Sequence, residues 1–263
     1  FREVALLSRP KECIWDFQIQ TSFDSNYENG ILAIDFPKIH GNQLACDVFL
    51  EKEAIVFQKK IVIDKDNHCF SFPVVSPKKW TAETPELYRL RLVTSEEEIC
   101  QEIGFREVAL LENKICINGK PILFKGVNHH EFHETKGRTL PKGFLEEEIQ
   151  LIKQAHFNAI RAAHYPHSPE FYQLCDRYGL YVMDEADLEC HGIGSTGDQN
   201  FLSSNQEWEE AYSDRMKQMV ERDKNYTSII IWSVGNESGN GTNHEAMIRW
   251  CREKDPTRLI HHE

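Results

Sequence analysis

Residues 1 to about 107 carry short runs at 31–36, 47–50, 55–56, 69–75 and 88–94 that are rich in β-branched or aromatic residues and separated by turn formers. Runs of that length and spacing predict an antiparallel β-sandwich. After Gly104 the pattern changes to strand and helix in alternation. Asn118-Gly119 is a turn signal, and the apolar run 122–127 that follows reads as a first buried strand. A helix over 144–156 would place Leu145, Ile149 and Ile152 on one face, and a strand is expected at 158–161. A second helix over 169–178 has Pro169 in its first turn, and a strand at 180–184 follows. The helix expected at 207–222 puts Trp208, Tyr212, Met216, Met219 and Val220 on one buried stripe. A strand at 228–234, a helix at 243–254 and a short strand at 258–262 complete the series. Alternation of this kind favours parallel strands with crossover helices, about half of a β/α barrel. Two domains are therefore expected, a β-sandwich over 1–107 and the first part of a (β/α)8 barrel over 108–263.

With 263 residues, 40% of them hydrophobic, the chain can bury two cores. Asp and Glu number 42 against 30 Lys and Arg, and the net charge of -12 offers nucleic acid or an anionic membrane no general attraction. The eight cysteines form no CxxC pair and no regular framework, which fits reduced thiols in a cytoplasmic protein. No apolar run approaches the roughly 20 residues that cross a bilayer, and no basic-then-apolar leader opens the chain. The chain opens on Phe1 and stops at Glu263 directly after a strand-like run, so it reads as an internal piece of a longer protein.

In β/α barrels, sites form at the C-terminal ends of the strands. The first expected strand is followed by Asn128, His129, His130 and Glu131, the second by Arg161 and His164, the third by Glu185, Glu189 and His191, and the fourth by Asn236 and Glu237. Four successive strands would thus aim polar groups at one place. A glycosidase needs a carboxylic acid to protonate the leaving oxygen and gains from an amide that holds a sugar hydroxyl, as Glu237 beside Asn236 would supply. Alone, Glu237 also reads as a carboxylate favoured at a helix N-terminus. Glu189 and His191, two residues apart, could hold a divalent ion together with Glu237. Alternation along an extended segment turns Cys190 away from them, so a hard ion, magnesium or manganese, is preferred over zinc. Read in isolation, Glu-x-His is more often a loop salt bridge. His129, His130 and His133 miss the HExxH spacing and leave a strand rather than lie within a helix. The stretch 1–107 shows no ionisable groups gathered at a pocket, and Lys78, Lys79 and the run Glu96–Glu98 read as solvated loops.

The segments Gly104-Phe-Arg-Glu-Val108, Asn118-Gly-Lys-Pro121, Gly126-Val-Asn128 with His130-Glu131, and Asn158 to Arg161 with His164-Tyr-Pro166 resemble motifs of glycoside hydrolase family 2 β-galactosidases. So do Cys175-Asp-Arg-Tyr-Gly-Leu-Tyr-Val182, Asp184-Glu-Ala186, Glu189-x-His-Gly192 and Ile230-Ile-Trp-Ser-Val-Gly-Asn-Glu-Ser238. Trp80, Pro85-Glu-Leu-Tyr88 and the opening Phe1-Arg-Glu-Val4 extend the likeness forward. The resemblance implies an immunoglobulin-like domain followed by the N-terminal half of a TIM barrel. It implies Glu237 as general acid/base, and Glu189, His191 and Glu237 as magnesium ligands. His130 and His164 would line the sugar subsite and stabilise the transition state, with Asn236 and Arg161 binding substrate. The Glu-x-His-Gly element leans the substrate towards β-galactosides such as lactose rather than the glucuronides or mannosides of sister enzymes. The complete enzyme would be an oligomer and admits sodium as a further ion. The nucleophilic glutamate is expected beyond Glu263, so the isolated chain is expected to be inactive or to fold against a partner segment.

Overall fold

The structure is a computed structural model that describes residues 4–263, so three residues of the opening Phe1-Arg-Glu-Val4 resemblance lie outside the described part. The chain divides into two compact units between Glu107 and Val108.

The first unit is all β: β1 Cys13–Phe23, β2 Gly30–His40, β3 Gln43–Glu51, β4 Ile55–Asp64, β5 Cys69–Val74, β6 Tyr88–Val93 and β7 Glu98–Ile103. One sheet has the order β1-β2-β5 and the other β4-β3-β6-β7, with every pairing antiparallel. Alternate residues point inward, so Leu32, Ile34 and Phe36 of β2 join Val48 and Leu50 of β3 and Leu90 and Leu92 of β6 in one core. β1 and β7 lie outside the runs expected from sequence, because Gln, Thr and Glu interrupt their apolar positions. The expected solvated run at 96–98 is also corrected. Glu97 accepts the Ile14 backbone N–H at 2.6 Å and Arg9 at 2.8 Å, and Glu98 opens β7.

The second unit begins with a small antiparallel sheet of β8 Val108–Leu111, β9 Lys114–Ile117 and β10 Lys120–Pro121. Asn118 and Gly119 turn the last pair with φ of 52° and 75°, as a two-residue hairpin requires. Five parallel strands follow in consecutive order: β11 Gly126–His129, β12 Ala159–Ala162, β13 Tyr181–Glu185, β14 Ile229–Ser233 and β15 Leu259–His261. Between them run α1 Phe144–Gln154, α2 Pro169–Tyr178, α3 Phe201–Ser204, α4 Glu209–Asp223 and α5 Thr242–Lys254. The strand expected at 122–127 starts only at Gly126, and Leu123 before it is 75% exposed. Trp208 also leaves the expected stripe. It sits in a short 3-10 turn before α4 and is 44% exposed, while Tyr212, Met216, Met219 and Val220 are buried.

β14 is buried along its whole length, and each apolar side chain so enclosed contributes about 1.5–3 kcal/mol. Polar groups fix its position. Asp176 of α2 accepts the Ser228 N–H at 2.6 Å, and Asp255 accepts Trp232 Nε1–H at 2.8 Å and Arg258 at 2.6 Å. Burial opposes ionisation of Asp255, yet Arg258, Thr257 and Trp232 together hold its carboxyl below the usual carboxylate range. The strand that delivers Asn236 and Glu237 is thereby locked from both ends.

Candidate active site

At the C-terminal ends of these strands the centre of the polar network is Glu185, the last residue of β13, whose side chain is fully buried. Its carboxylate accepts Arg161 Nε–H at 2.7 Å and a second guanidinium N–H at 3.0 Å, a bidentate pair across neighbouring strands. Ser233 Oγ, from the end of β14, donates to it at 2.9 Å. His164 Nδ1 lies 3.0 Å from the other carboxylate oxygen. An ionised carboxylate only accepts, so Nδ1 carries the proton and Nε2 is left for a ligand.

Arg161 carries this order outward by donating to Asn236 Oδ1 at 2.7 Å, and Asn236 Nδ2 donates to Glu189 Oε2 at 2.6 Å. The backbone reinforces the link: Asn236 N–H donates to Leu188 O at 2.9 Å, and Asn236 bridges Glu189 in parallel fashion. This close approach needs Gly235. At its φ of 132° an added Cβ would stand 2.8 Å from both Cβ and the carbonyl oxygen of Leu188. Glu237 itself has φ of 40°, a left-handed conformation that a non-glycine residue adopts only when its surroundings enforce it. The loop beyond is held by Ser238, whose hydroxyl lies 2.9 Å from buried His244 Nε2. Burial, with His262 alongside, pushes the His244 pKa down to about 4, so the anchor is a neutral imidazole.

One ligand atom from each of Glu189, His191 and Glu237 lies within 4.8 Å of the others, with His191 Nδ1 2.9 Å from Glu237 Oε2. Two carboxylates and one imidazole, all exposed, make a hard donor set suited to magnesium or manganese with water completing the shell. Cys190 is buried between them in sequence, its Sγ 3.3 Å from Tyr212 Oη, and so points away from this cluster. The residues present therefore fit a hard divalent cation.

His130 stands edge-on to His164, with ring centroids 5.3 Å apart, and next to Tyr165 at 5.8 Å. Partial burial, with His164 nearby, lowers its pKa, so it meets a ligand as the neutral base. Two other polar residues at the end of β11 and just beyond it, His129 and Glu131, have structural duties. His129 is buried between His167 and Glu148, and Glu131 accepts both the N–H and the hydroxyl of Ser168 at the start of α2. Of the groups that organise the site, Glu185 is conspicuous in sequence only as a strand-end acid. Ser233 and Ser238 fall within the motif segment that ends at Ser238 but carry no individual signal there, and His244 carries none.

Residues 108–263 match the TIM barrel domain of glycosyl hydrolases family 2, and residues 13–106 match a second domain of glycosyl hydrolases family 2. The chain belongs to glycosyl hydrolase family 2, with an immunoglobulin-like sandwich leading into the parallel strands of the barrel domain. Among its relatives, a β-galactosidase of Pseudoalteromonas haloplanktis is 42% identical over 283 residues and one of Photobacterium profundum is 41% identical over 281 residues. The match covers 100% of this chain in both cases and 27% of the relative, so the chain spans about a quarter of their length. A solved β-D-glucuronidase of Dictyoglomus thermophilum superposes with a TM-score of 0.84 at 26% identity, over 96% of this chain and 44% of that one. A β-glucuronidase of an uncultured Clostridium gives a TM-score of 0.82 at 24% identity, over 96% of this chain and 44% of that one, a likeness of fold alone.

Proposed function

We propose that the full-length protein containing this chain is a retaining β-galactosidase in which Glu237 is the general acid/base. The observation that carries this reading is the convergence of Glu189, His191 and Glu237 beside the Arg161–Asn236 network. Identity of about 40% along the whole chain to proteins named β-galactosidase supports galactose over the acid sugar of the glucuronidases. Charge supports it too. Arg161, the guanidinium at the centre, is committed to Glu185, Asn236 and Glu263 and is not free to take a substrate carboxylate.

In a retaining mechanism one carboxylate attacks the anomeric carbon while a second, roughly 5–5.5 Å away, first gives and then removes a proton. Glu237 takes the second role, and the nucleophile is assigned to sequence outside these 263 residues. Glu185 fixes Arg161, which fixes the Asn236 amide. His164 offers Nε2 and His130 a neutral ring to the sugar hydroxyls. A magnesium ion held by Glu189, His191 and Glu237 would supply positive charge beside the acid/base. Chelation of the ion is expected to lower activity, and Glu189→Gln to raise the magnesium concentration needed for activity at least about 10-fold. Activity against magnesium concentration measures this, and an unchanged curve in the variant would count against the ligand set.

Aryl galactosides, glucuronides and mannosides assayed with the full-length protein test the substrate assignment. The galactoside should be turned over at least about 100-fold better than either rival, a gap that a site matched to the right hydroxyls can produce. A preference for the glucuronide would instead favour the activity named for its structural neighbours.

A further inference from the structure

The first unit carries a second group of metal-type donors, remote in kind from anything the glycosidase reading uses. β2 and β5 are neighbours in the three-stranded sheet, and Asp35 and Cys69 are direct partners in their antiparallel register. Opposed side chains on one sheet face start only about 4.5–5.5 Å apart at Cβ. Cys69 Sγ accordingly lies 2.9 Å from Asp35 Oδ1. His68, the residue before β5, brings Nδ1 to 2.7 Å from the same oxygen and 3.2 Å from Sγ. Its own carbonyl accepts the Phe36 N–H at 2.9 Å. The turn that delivers it is braced by Asp64 Oδ1, which accepts the N–H groups of Asp66 and Asn67 at 2.9 Å each. An oxygen, a nitrogen and a sulfur from a register-locked strand pair thus converge on one point.

The same three residue types could make a nucleophilic triad, but that arrangement needs the thiol and the carboxylate on opposite ring nitrogens. Here both approach Nδ1. Asp35 also keeps the thiol proton in place and, with burial, pushes the Cys69 pKa up to about 11, the reverse of an activated thiol. A plain Asp35–His68 ion pair explains two of the groups and does not by itself account for a thiol packed against both.

We propose that Asp35, His68 and Cys69 form a binding site for a zinc-class divalent transition-metal ion. Zinc takes such oxygen, nitrogen and sulfur ligands at about 2.0–2.3 Å in a tetrahedron, which spaces the donors roughly 3.3–3.7 Å apart. The present separations of 2.7, 2.9 and 3.2 Å need widen by only about half an ångström on that geometry. The His68 and Asp35 side chains are 45% and 39% exposed, so solvent reaches the cluster and water can complete the shell. The sulfur ligand selects against magnesium. This site therefore does not compete for the cation held by Glu189, His191 and Glu237.

Cobalt(II) as a spectroscopic probe and zinc as its competitor test the assignment on the full-length protein. One equivalent of cobalt should give a thiolate-to-metal charge-transfer band that zinc displaces, that Cys69→Ser abolishes and that Glu189→Gln leaves intact. Asp35→Asn and His68→Gln should each raise the cobalt Kd at least about 10-fold. In the unmodified chain, zinc should slow alkylation of Cys69 at least 10-fold, an effect on the order of the same affinity. Cys100, also exposed, should react at its former rate. A band that survives Cys69→Ser, no band at all, or equal alkylation of Cys69 with and without zinc would overturn the site.

Discussion

Replacing Glu185 by glutamine is expected to cost the full-length enzyme roughly 100-fold or more in kcat/KM, because a misplacement of about 1 Å at a reacting centre is enough for such a loss. The buried carboxylate receives two guanidinium N–H groups, the Ser233 hydroxyl and His164 Nδ1. An amide offers one acceptor oxygen where there were two and turns an N–H group towards donors. Arg161 then loses its buried carboxylate and keeps only the half-exposed Glu263 at 3.2 Å as a charged partner, so the cost approaches but does not reach the roughly 3–5 kcal/mol of a buried ion pair broken outright. The loss travels along the hydrogen bonds: Arg161 no longer holds Asn236, Asn236 no longer orients Glu189, and His164 loses the partner that sets its tautomer. Tm should fall with activity. Ser233→Ala removes one charge-assisted hydrogen bond from a carboxylate that keeps Arg161 and His164 and should cost less, about 1.5–3 kcal/mol, with most activity kept. Full activity in a folded Glu185→Gln protein would remove Glu185 from the positioning role.

The parts of this arrangement that were legible in sequence are those written in local pattern. Pro169 and the amphipathic run behind it mark α2 at its observed bounds. Asn118-Gly119 marks its turn, and alternation through Glu189, Cys190 and His191 separates the buried thiol from the two exposed donors. The strand-end rule for β/α folds gathers Arg161, His164, Glu189, His191, Asn236 and Glu237 from sequence alone. What was not legible depends on partners distant in the chain. Leu123 and Phe124 are apolar yet exposed, since apolarity does not report where strand pairing starts. Trp208 fits a helical stripe by spacing but falls in the 3-10 turn before α4, where that spacing no longer applies. Glu97 looks like one of three solvated acids until Ile14 and Arg9, more than eighty residues away, are placed against it. The same holds for Asp35, His68 and Cys69. The register that makes Asp35 face Cys69 is a tertiary fact, and the sandwich looked free of chemistry without it.

Glu237→Gln in the full-length protein is expected to give the largest kinetic effect, on the order of 100- to 10,000-fold for substrates with poor leaving groups, the range contributed by a positioned proton donor. Substrates with good leaving groups need little protonation and should lose less in the first step. The second step should slow for all of them, because water has lost its base. Azide attacks without deprotonation and should bypass that loss. The decisive measurement is therefore turnover of an activated aryl galactoside by Glu237→Gln with and without azide, with the product identified. The account predicts that azide restores turnover and that β-galactosyl azide accumulates. If every leaving group suffers alike, stability falls in step with activity and azide restores nothing, Glu237 is a structural residue and the acid/base assignment is contradicted.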